Sequence, residues 1–356
     1  MKPAAMKRLR STIIQTGLDA MSLTGAYRLL EPLVGGVGLI FMLHRVYPAQ
    51  DNDFRPNRHL EITPDFLCVA LEHLRAQKFD IVSMDEAYRR LSGGELSRRF
   101  ATFTFDDGYR DNRDHALPVM HKFDAPFIVY VASDFAQGAG RLWWITLERV
   151  VANTPAIKIR IGGKEVHIDS STPQNKQAAF TQIHDWLRNL TDRELQHEVS
   201  ALAQRYGIDD AAIAHELCMS WDELKQFAAD PLVTIGAHTV SHCNLALESP
   251  EAARQQMQLS RERIEAALGK NVRHFAYPYG DRSAAASREF TIATSLGFDT
   301  AVTTQPGMLF AEHKNHLTAL PRIALNGNYQ SARFLPVLTS GAATAIWNRF
   351  RRIGSA

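Results

Sequence analysis

Short apolar runs alternate with amphipathic, helix-like segments along most of the chain. The runs are apolar nearly throughout and do not alternate with polar residues, which is typical of strands covered on both faces. We predict strands over 38–43, 79–82, 101–105, 126–131, 232–236, 272–277 and 300–303. Because helical segments separate these strands, the pattern predicts an α/β fold with a parallel sheet, either open or closed into a barrel.

One stretch, residues 141–219, breaks this alternation. A Gly-Gly pair between two β-type runs predicts a hairpin over 157–168. Two polar amphipathic helices are predicted after it, near 174–189 and 192–206. We interpret the stretch as an insertion between barrel strands that shapes a substrate groove or forms a lid.

Composition excludes several classes of protein. The chain has 356 residues, 45% hydrophobic and 22% charged, as in ordinary globular proteins. A net charge of +2 gives no sign of a nucleic-acid partner. Three cysteines without a Cys-x-x-Cys pair argue against a disulfide framework and suit a reducing compartment. No secretory signal pattern is visible, so we expect a cytoplasmic location, either free or at the inner face of the membrane.

Both ends of the chain combine apolar and basic residues. The segment 6–31 mixes aliphatic side chains with early cations, and 346–353 interleaves aromatic and basic side chains. We therefore divide the chain into an N-terminal helical lead (1–37), a main domain (38–335) and a C-terminal amphipathic helix (336–356). Two interpretations stay open: terminal helices packed on the domain, or peripheral contact with an anionic membrane surface.

Two carboxylates, Asp106 and Asp107, follow the strand predicted over 101–105, and Gly108 comes next. Within a regular strand their side chains would point to opposite faces. They can converge on one site only if the strand ends there and the backbone turns, which Gly108 permits. An ordinary surface turn is the alternative, but the ends of buried strands are where α/β active sites collect.

Two histidines, His238 and His242, follow the strand predicted over 232–236. One carboxylate and two imidazoles form a ligand set for a divalent metal with open positions. The second carboxylate is then free to act as a base on activated water. Histidines with purely structural roles are the alternative interpretation.

A third segment, Tyr277-Pro-Tyr-Gly280, follows the strand predicted over 272–277. The proline fixes one torsion and Gly280 allows a sharp turn. Such a loop can direct the backbone N–H of Tyr279 at a developing oxyanion. It could equally be an ordinary turn at the end of a strand.

These three segments resemble the signature motifs of the polysaccharide deacetylases, the NodB-homology enzymes of carbohydrate esterase family 4. The resemblance spans about 38–325 and implies a distorted (β/α) barrel of about seven parallel strands, with the hairpin and helices inserted. It implies that Asp106 is the catalytic base and that the backbone N–H of Tyr279 stabilises the oxyanion. It further implies a divalent metal held by Asp107, His238 and His242. Zinc is the metal we expect, and cobalt or nickel could replace it.

Two departures from the family pattern matter. The third motif usually has an arginine where this chain has Ala276, so another group must orient the base. Arg322 is our first candidate for that group, and Arg45 is the second.

The family's C-terminal Leu-x-His motif is not evident. The segment around His44 resembles the N-terminal His-Arg segment of the exopolysaccharide-deacetylase branch, whose motif order is permuted. We therefore expect His44 to be the general acid, with His316 in reserve.

The resemblance implies metal-dependent hydrolysis of the N-acetyl group of an amino sugar, releasing acetate. The expected substrate is an N-acetylglucosamine-containing glycan or a lipid-linked precursor. Another non-peptide linear amide and a catalytically silent glycan-binding module are the alternatives. A glycosidase that uses the adjacent Asp106 and Asp107 is disfavoured, because glycosidase carboxylates face each other across the scissile bond, about 5 Å or more apart.

Overall fold

The computed structural model describes residues 3–354, with side chains from residue 11 onward. Residues 1–2 and 355–356 of the predicted terminal segments lie outside the described residues. In chain order the strands are β1 (Gly38–Leu43), β2 (Arg45–Val46), β3 (Glu61–Ile62), β4 (Asp80–Ile81), β5 (Phe100–Phe105), β6 (Phe127–Val131), β7 (Ala156–Ile161), β8 (Lys164–Asp169), β9 (Val233–Ala237), β10 (His274–Ala276), β11 (Thr300–Pro306) and β12 (Leu320–Ala324).

Fifteen α-helices are described, and most of them connect these strands. They are α1 (Pro3–Thr24), α2 (Tyr27–Val34), α3 (Pro64–Ala76), α4 (Met84–Gly93), α5 (Leu117–Lys122), α6 (Ser133–Ala136), α7 (Trp143–Asn153), α8 (Pro173–Leu187), α9 (Asp192–Arg205), α10 (Asp210–Leu217), α11 (Trp221–Phe227), α12 (Pro250–Leu268), α13 (Ser287–Ser295), α14 (Leu335–Thr339) and α15 (Ala342–Trp347). Within residues 3–354, no helix has both the length and the apolar character that crossing a bilayer requires.

Seven parallel strands close into a barrel in the order β1-β12-β11-β10-β9-β6-β5, and β5 pairs back with β1. The predicted (β/α) barrel of about seven strands is therefore confirmed. All seven strands run in one direction, so their carboxyl ends meet at one rim of the barrel. Residues that follow different strands are thereby brought to the same place.

The membership of the barrel differs from the prediction at one strand. The segment predicted over 79–82 forms β4, which pairs with the first residues of β5 and is not part of the closed ring. The seventh strand is β12, which we did not predict. Pro321 and Arg322 interrupt its apolar run, so it lacks the sequence pattern of a buried strand.

Alternate residues of the strands face two different cores. Ile40, Ile128 and Ala276 belong to a cluster that includes side chains of α4. Their neighbours, such as Phe41 and Phe103, pack in a larger cluster with α3, α12 and other surrounding helices. This division follows from the two-residue period of a strand. It explains why the barrel strands are apolar nearly throughout.

The predicted insertion lies between β6 and β9 and has a hydrophobic core of its own. The hairpin β7–β8 turns at Gly162 and Gly163, both with positive φ, as predicted. The cluster also includes Trp143 and Trp144 at the start of α7. Because Tyr109, which follows the barrel strand β5, belongs to the same cluster, the insertion packs on the barrel rim.

The C-terminal segment is not the single amphipathic helix that we predicted over 336–356. It forms two short helices, α14 and α15, separated at Gly341. Gly341 has φ of 79°, and a Cβ there would lie 2.3 Å from the carbonyl oxygen of Val34. Close contact with the N-terminal segment therefore requires glycine and interrupts the helix.

Candidate active site

The two carboxylates stand at the carboxyl end of β5. The backbone N–H of Asp106 still donates to the carbonyl of Leu43 (2.9 Å), so this residue extends the pairing with β1. The chain then turns at once, because Asp107 has φ of 74° and Gly108 has φ of 70°. Both carboxylates consequently line the same pocket. This is the turn on which the convergence of neighbouring acidic residues depends.

The two imidazoles stand at the carboxyl end of β9, which is paired with β6. The backbone N–H of His238 donates to the carbonyl of Val131 (3.0 Å). Left-handed backbone at Thr239 and His242 then folds the loop back on itself, and the His242 N–H donates to Thr239 Oγ1 (3.0 Å). The two rings lie with their centroids 5.0 Å apart.

Asp107, His238 and His242 each offer one ligand atom, and these three atoms all lie within 4.8 Å of one another. Asp107 Oδ1 is 3.6 Å from His238 Nε2 and 3.4 Å from His242 Nε2. This oxygen is buried and has no hydrogen-bond partner among the described residues. A buried carboxylate oxygen without a partner is costly, and a cation between these atoms would satisfy it. One carboxylate and two imidazoles with room for a further ligand is a donor set that suits zinc.

The protonation of these groups also fits a cation. Burial, reinforced by the charge of Asp106, raises the pKa of Asp107 well above its usual range. Burial lowers the pKa of His238 and, together with the nearby imidazoles, that of His242. Both histidines are therefore neutral at pH 7, which is the form that binds metals. His238 Nδ1 is hydrogen-bonded to the carbonyl oxygen of Ala276 (2.7 Å), which fixes the ring and leaves Nε2 facing the site.

Arg322 reaches Asp106 through the interior of the barrel. Its Nη1 donates to Asp106 Oδ1 and its Nη2 to Asp106 Oδ2, both at 2.7 Å. Nε donates to the carbonyl of Thr303 (2.8 Å) and Nη1 also to Thr104 Oγ1 (3.0 Å). Burial alone would raise the pKa of Asp106, but the Arg322 charge and its hydrogen bonds outweigh burial and hold that pKa well below its usual range. Asp106 is thus kept ionised and fixed in orientation.

His44 follows β1 and lines the same pocket as the metal-ligand candidates. Its Nε2 is 3.9 Å from Asp106 Oδ2. Burial lowers the pKa of His44 to about 4, although the charge of Asp106 acts in the opposite direction. The free imidazole is therefore neutral at pH 7. It lines the pocket, within reach of a ligand that contacts Asp106.

The loop after β10 brings Tyr279 to the same pocket. Tyr279 has φ of 60° and Gly280 φ of 59°, so the chain makes the sharp turn that the Pro-Tyr-Gly sequence predicted. The Tyr279 ring lies 5.1 Å from that of His242, and its hydroxyl accepts a hydrogen bond from Trp143 Nε1 (3.0 Å). Thr304 Oγ1 donates to the Tyr279 carbonyl (2.6 Å), which fixes the orientation of the loop.

The pocket that these groups line has a volume of about 320 Å³. Much of its outer wall comes from the insertion, through Trp143, Trp144, His184 and Arg188. His59, from a short 3₁₀ helix directly before β3, lines it as well. Sequence analysis did not single out His59, His184 or Arg188. No local motif contains them, and they reach the pocket only through the packing of distant segments.

Two reserve candidates lie elsewhere. His316 is exposed and precedes β12, at the opposite end of the barrel from the pocket, so the structure contradicts it as an alternative to His44. Arg45 donates to Asp111 Oδ2 (2.7 Å) and lies over the ring of Tyr109. It is thus engaged with Asp111 and not with Asp106, the acidic residue that we expected it to orient.

Comparisons with solved structures agree with this architecture. The deacetylase PplD of Streptococcus pyogenes, solved in complex with acetate, superposes with a TM-score of 0.54 at 20% identity, covering 82% of this chain and 92% of PplD. IcaB from Ammonifex degensii superposes with a TM-score of 0.52 at 18% identity, covering 88% of this chain and 99% of IcaB. BC0361, a polysaccharide deacetylase from Bacillus cereus, superposes with a TM-score of 0.51 at 15% identity, covering 85% of this chain and 68% of BC0361. These likenesses show a common fold.

Among curated proteins no sequence matches this chain. A family model does: the polysaccharide deacetylase model matches residues 93–301, which is more than half of the chain. The matched region contains both carboxylates, both histidines and the Tyr279 loop. The chain therefore belongs to the polysaccharide deacetylase family, whose members are hydrolases of carbon–nitrogen bonds other than peptide bonds.

Proposed function

We propose that this polysaccharide N-deacetylase is metal-dependent, with zinc as its first choice, and that it removes acetyl groups from an N-acetylated amino sugar. Its substrate would be an N-acetylglucosamine-containing glycan or glycan precursor. The observation that carries this proposal is the convergence of Asp107, His238 and His242 around an unpaired carboxylate oxygen, directly beside an ionised Asp106. A protein that only binds glycans has no need for an ionised base next to such a cluster.

Asp107, His238 and His242 would hold the metal, which when bound supplies Lewis acidity and an activated water. The remaining chemistry falls to this chain's own groups. Asp106 accepts the proton of the attacking water, and Arg322 keeps its carboxylate ionised and oriented for this step. The backbone N–H of Tyr279 donates to the acetamide oxygen as that oxygen gains negative charge.

His44 completes the reaction by protonating the departing amine. With a pKa of about 4, the free imidazole carries no proton at pH 7. It must therefore gain its proton during the cycle, and the nearby Asp106 carboxylate, once it has taken a proton from water, is the available source. Water and the acetamide are consumed, acetate and the free amine are released, and both residues return to their starting states.

Acetate release from short N-acetylglucosamine oligomers tests the proposal. Chelation should abolish turnover, and added zinc should restore it. Asp107→Ala and His238→Ala should lose bound metal, whereas Asp106→Asn should keep its metal and lose roughly 10²–10⁴ in kcat. His167→Ala is the matched control, because this histidine is exposed on the β7–β8 hairpin. Wild-type metal content in Asp107→Ala would rule out the ligand assignment.

The same experiment separates the alternatives. A silent glycan-binding module would bind the oligomers equally well with and without metal and would release no acetate. A hydrolase of another linear amide would release acetate from small N-acetyl compounds but show no preference for sugars. Preserved sugar binding with lost turnover after chelation would favour the deacetylase over both.

A further inference from the structure

A second, larger cavity joins the catalytic pocket. It has a volume of about 980 Å³, near the top of the range of about 300–1,000 Å³ that is typical of ligand pockets. The two spaces share part of their lining, namely Asp281, Thr304, Ala324, Leu325 and Asn326. The two spaces are therefore adjacent, and a ligand that fills one can reach into the other.

The wall of this cavity is largely apolar. Aliphatic and aromatic side chains from α1, α3, β12, α14 and α15 contribute, namely Ile14, Leu18, Phe66, Ile323, Leu338 and Trp347. Glycan-binding clefts need polar groups for sugar hydroxyls, whereas this wall offers mainly hydrocarbon. The chemistry of the cavity therefore differs from that of the catalytic pocket, where carboxylates, imidazoles and indoles meet.

Three arginines, Arg282, Arg349 and Arg351, also line the cavity. All three are exposed, and none has an acidic partner within 4.0 Å among residues 3–354. Asp281, which lines the junction of the two spaces, is already paired with Arg188. Uncompensated positive charge thus lines the cavity, and Arg282 is next in sequence to Asp281 at the junction with the pocket. An anionic group of a ligand would be favoured there.

Exposed apolar side chains are concentrated in the terminal segments, which also contribute to the cavity wall. Of nine large hydrophobic residues exposed among those with described side chains, seven belong to the terminal segments: Ile13, Leu23, Leu29, Leu33, Ile346, Trp347 and Phe350. Leu33 and Phe350 line a small cleft that shares Thr344, Asn348 and Arg351 with the large cavity. The cavity and this cleft also share Ile353, so the cavity borders a surface that carries exposed apolar side chains, where a lipid chain could leave it.

We propose that the substrate of this deacetylase is an amino sugar linked through a phosphate to a lipid chain. The acetylated sugar occupies the catalytic pocket, the phosphate lies near Arg282 and Arg351, and the lipid chain fills the apolar cavity. This inference rests on the proposed function and adds the chemical class of the substrate. The small volume of the catalytic pocket fits it, since only one sugar unit has to enter.

Two substrates that differ only in the alkyl group test the proposal. N-Acetylglucosamine 1-(decyl phosphate) should show a kcat/KM at least 100-fold higher than N-acetylglucosamine 1-(methyl phosphate). The difference should appear mainly in KM, because the chain binds away from the reacting bond. Short N-acetylglucosamine oligomers, which carry neither phosphate nor lipid, should be the poorest substrates of the three.

Filling the cavity should remove this preference. Ala343 lines it from α15, so Ala343→Trp should reduce kcat/KM for the decyl substrate at least tenfold more than for the methyl substrate. Ala20→Trp is the matched control, because Ala20 is exposed on α1 outside the cavity lining. If Ala343→Trp does not fold, Ala343→Leu makes the same comparison with a smaller side chain.

The arginines are tested by reversing charge. Arg282→Glu combined with Arg351→Glu should lower kcat/KM for both phosphate substrates at least tenfold relative to the neutral oligomers. Arg160→Glu, on the exposed hairpin, makes the same charge change at a site remote from the cavity and should change none of the three values. Loss for the oligomers equal to that for the phosphates would overturn the assignment of these arginines.

Failure of this inference can be told apart from failure of the proposed function. Equal kcat/KM for the decyl and methyl substrates, with acetate still released from oligomers, would overturn only the lipid proposal. If no substrate releases acetate, the proposed function fails. Calorimetry with decyl phosphate then tests separately whether the cavity binds a lipid phosphate. Binding at least tenfold tighter to wild type than to Ala343→Trp, and far tighter than inorganic phosphate, would support it; equal binding would refute it.

Discussion

Replacing Arg322 with Met should leave the buried Asp106 carboxylate without a charged partner. Arg322 is 1% exposed and Asp106 is 2% exposed, and two charge-assisted hydrogen bonds of 2.7 Å join them. Met has a similar length and no charge, so the substitution keeps much of the packing. The Asp106 carboxylate is then left buried without its cation, and the carbonyl of Thr303 loses its hydrogen bond from Nε.

The expected cost is large. Removing one partner of a buried ion pair typically destabilises a protein by about 3–5 kcal/mol. With an unfolding entropy of about 2.1 cal/mol/K per residue, a chain of 356 residues should lose about 4–7 °C in Tm. The double variant Asp106→Asn with Arg322→Met should be more stable than the two single losses predict, because it removes both charges together.

The pH dependence of this loss has a definite sign. In the wild type the pKa of Asp106 is held well below its usual range, so the ion pair stabilises the fold at neutral pH and stops doing so only in strong acid. Without Arg322, burial should raise that pKa above the value in the unfolded chain. Protonation then relieves the buried charge as pH falls. The destabilisation relative to wild type should therefore be larger at pH 8 than at pH 5.

Urea denaturation of metal-free protein at both pH values measures this, since bound metal would add its own stabilisation. Acetate release in parallel should show the acid limb of kcat/KM moving to higher pH in Arg322→Met, because the base there is protonated more readily. Arg160→Met, at an exposed arginine, is the control and should match wild type. A loss below about 1 kcal/mol at pH 8 would refute the idea that Arg322 neutralises a buried charge.

Three further substitutions address other parts of the site. His44→Gln should keep wild-type metal content, and its kcat should fall roughly 10²–10⁴-fold. A fall of less than tenfold would exclude His44 as the general acid. Gly280→Ala should unfold at a lower urea concentration than Gly163→Ala. Both positions have positive φ, but only at position 280 would a new Cβ contact backbone, 2.7 Å from the Thr304 nitrogen. Equal urea midpoints would contradict this. Trp144→Phe removes the donor to the buried Tyr109 hydroxyl (3.0 Å) and should cost about 1–3 kcal/mol, whereas an unchanged urea midpoint would mean that the hydroxyl finds another partner.

The parts of the fold that were predictable are those that local sequence specifies. The strand over 38–43 and the Gly-Gly hairpin matched because an apolar run or a turn signal encodes each of them alone. The strand β12 was missed, because Arg322 replaces an apolar residue within it. Arg322 interrupts the apolar run of this strand because its guanidinium binds Asp106. A residue that the site requires therefore removed the sequence pattern by which the strand could have been predicted.

The site divides in the same way. Contiguous motifs revealed Asp106, Asp107 and the two histidines, because each motif follows a strand that the barrel brings to one rim. Arg322 was inferred only because Ala276 left an expected arginine missing. His59 had no such signal, since it reaches the pocket from a segment far away in sequence. The large cavity was equally hidden, because it forms only when both termini pack against the loop after β10.

Backbone conformation shows how the barrel supports this chemistry. Eight non-glycine residues among those described have positive φ, and half of them stand in the catalytic loops: Asp107, Thr239, His242 and Tyr279. Each such conformation costs of order 1–3 kcal/mol and persists only where the surroundings impose it. The loops follow strands paired on both sides within a closed ring, so the ring can impose them. The atoms proposed as metal ligands are thus held together by the protein alone, so binding of an ion would not have to order the loops.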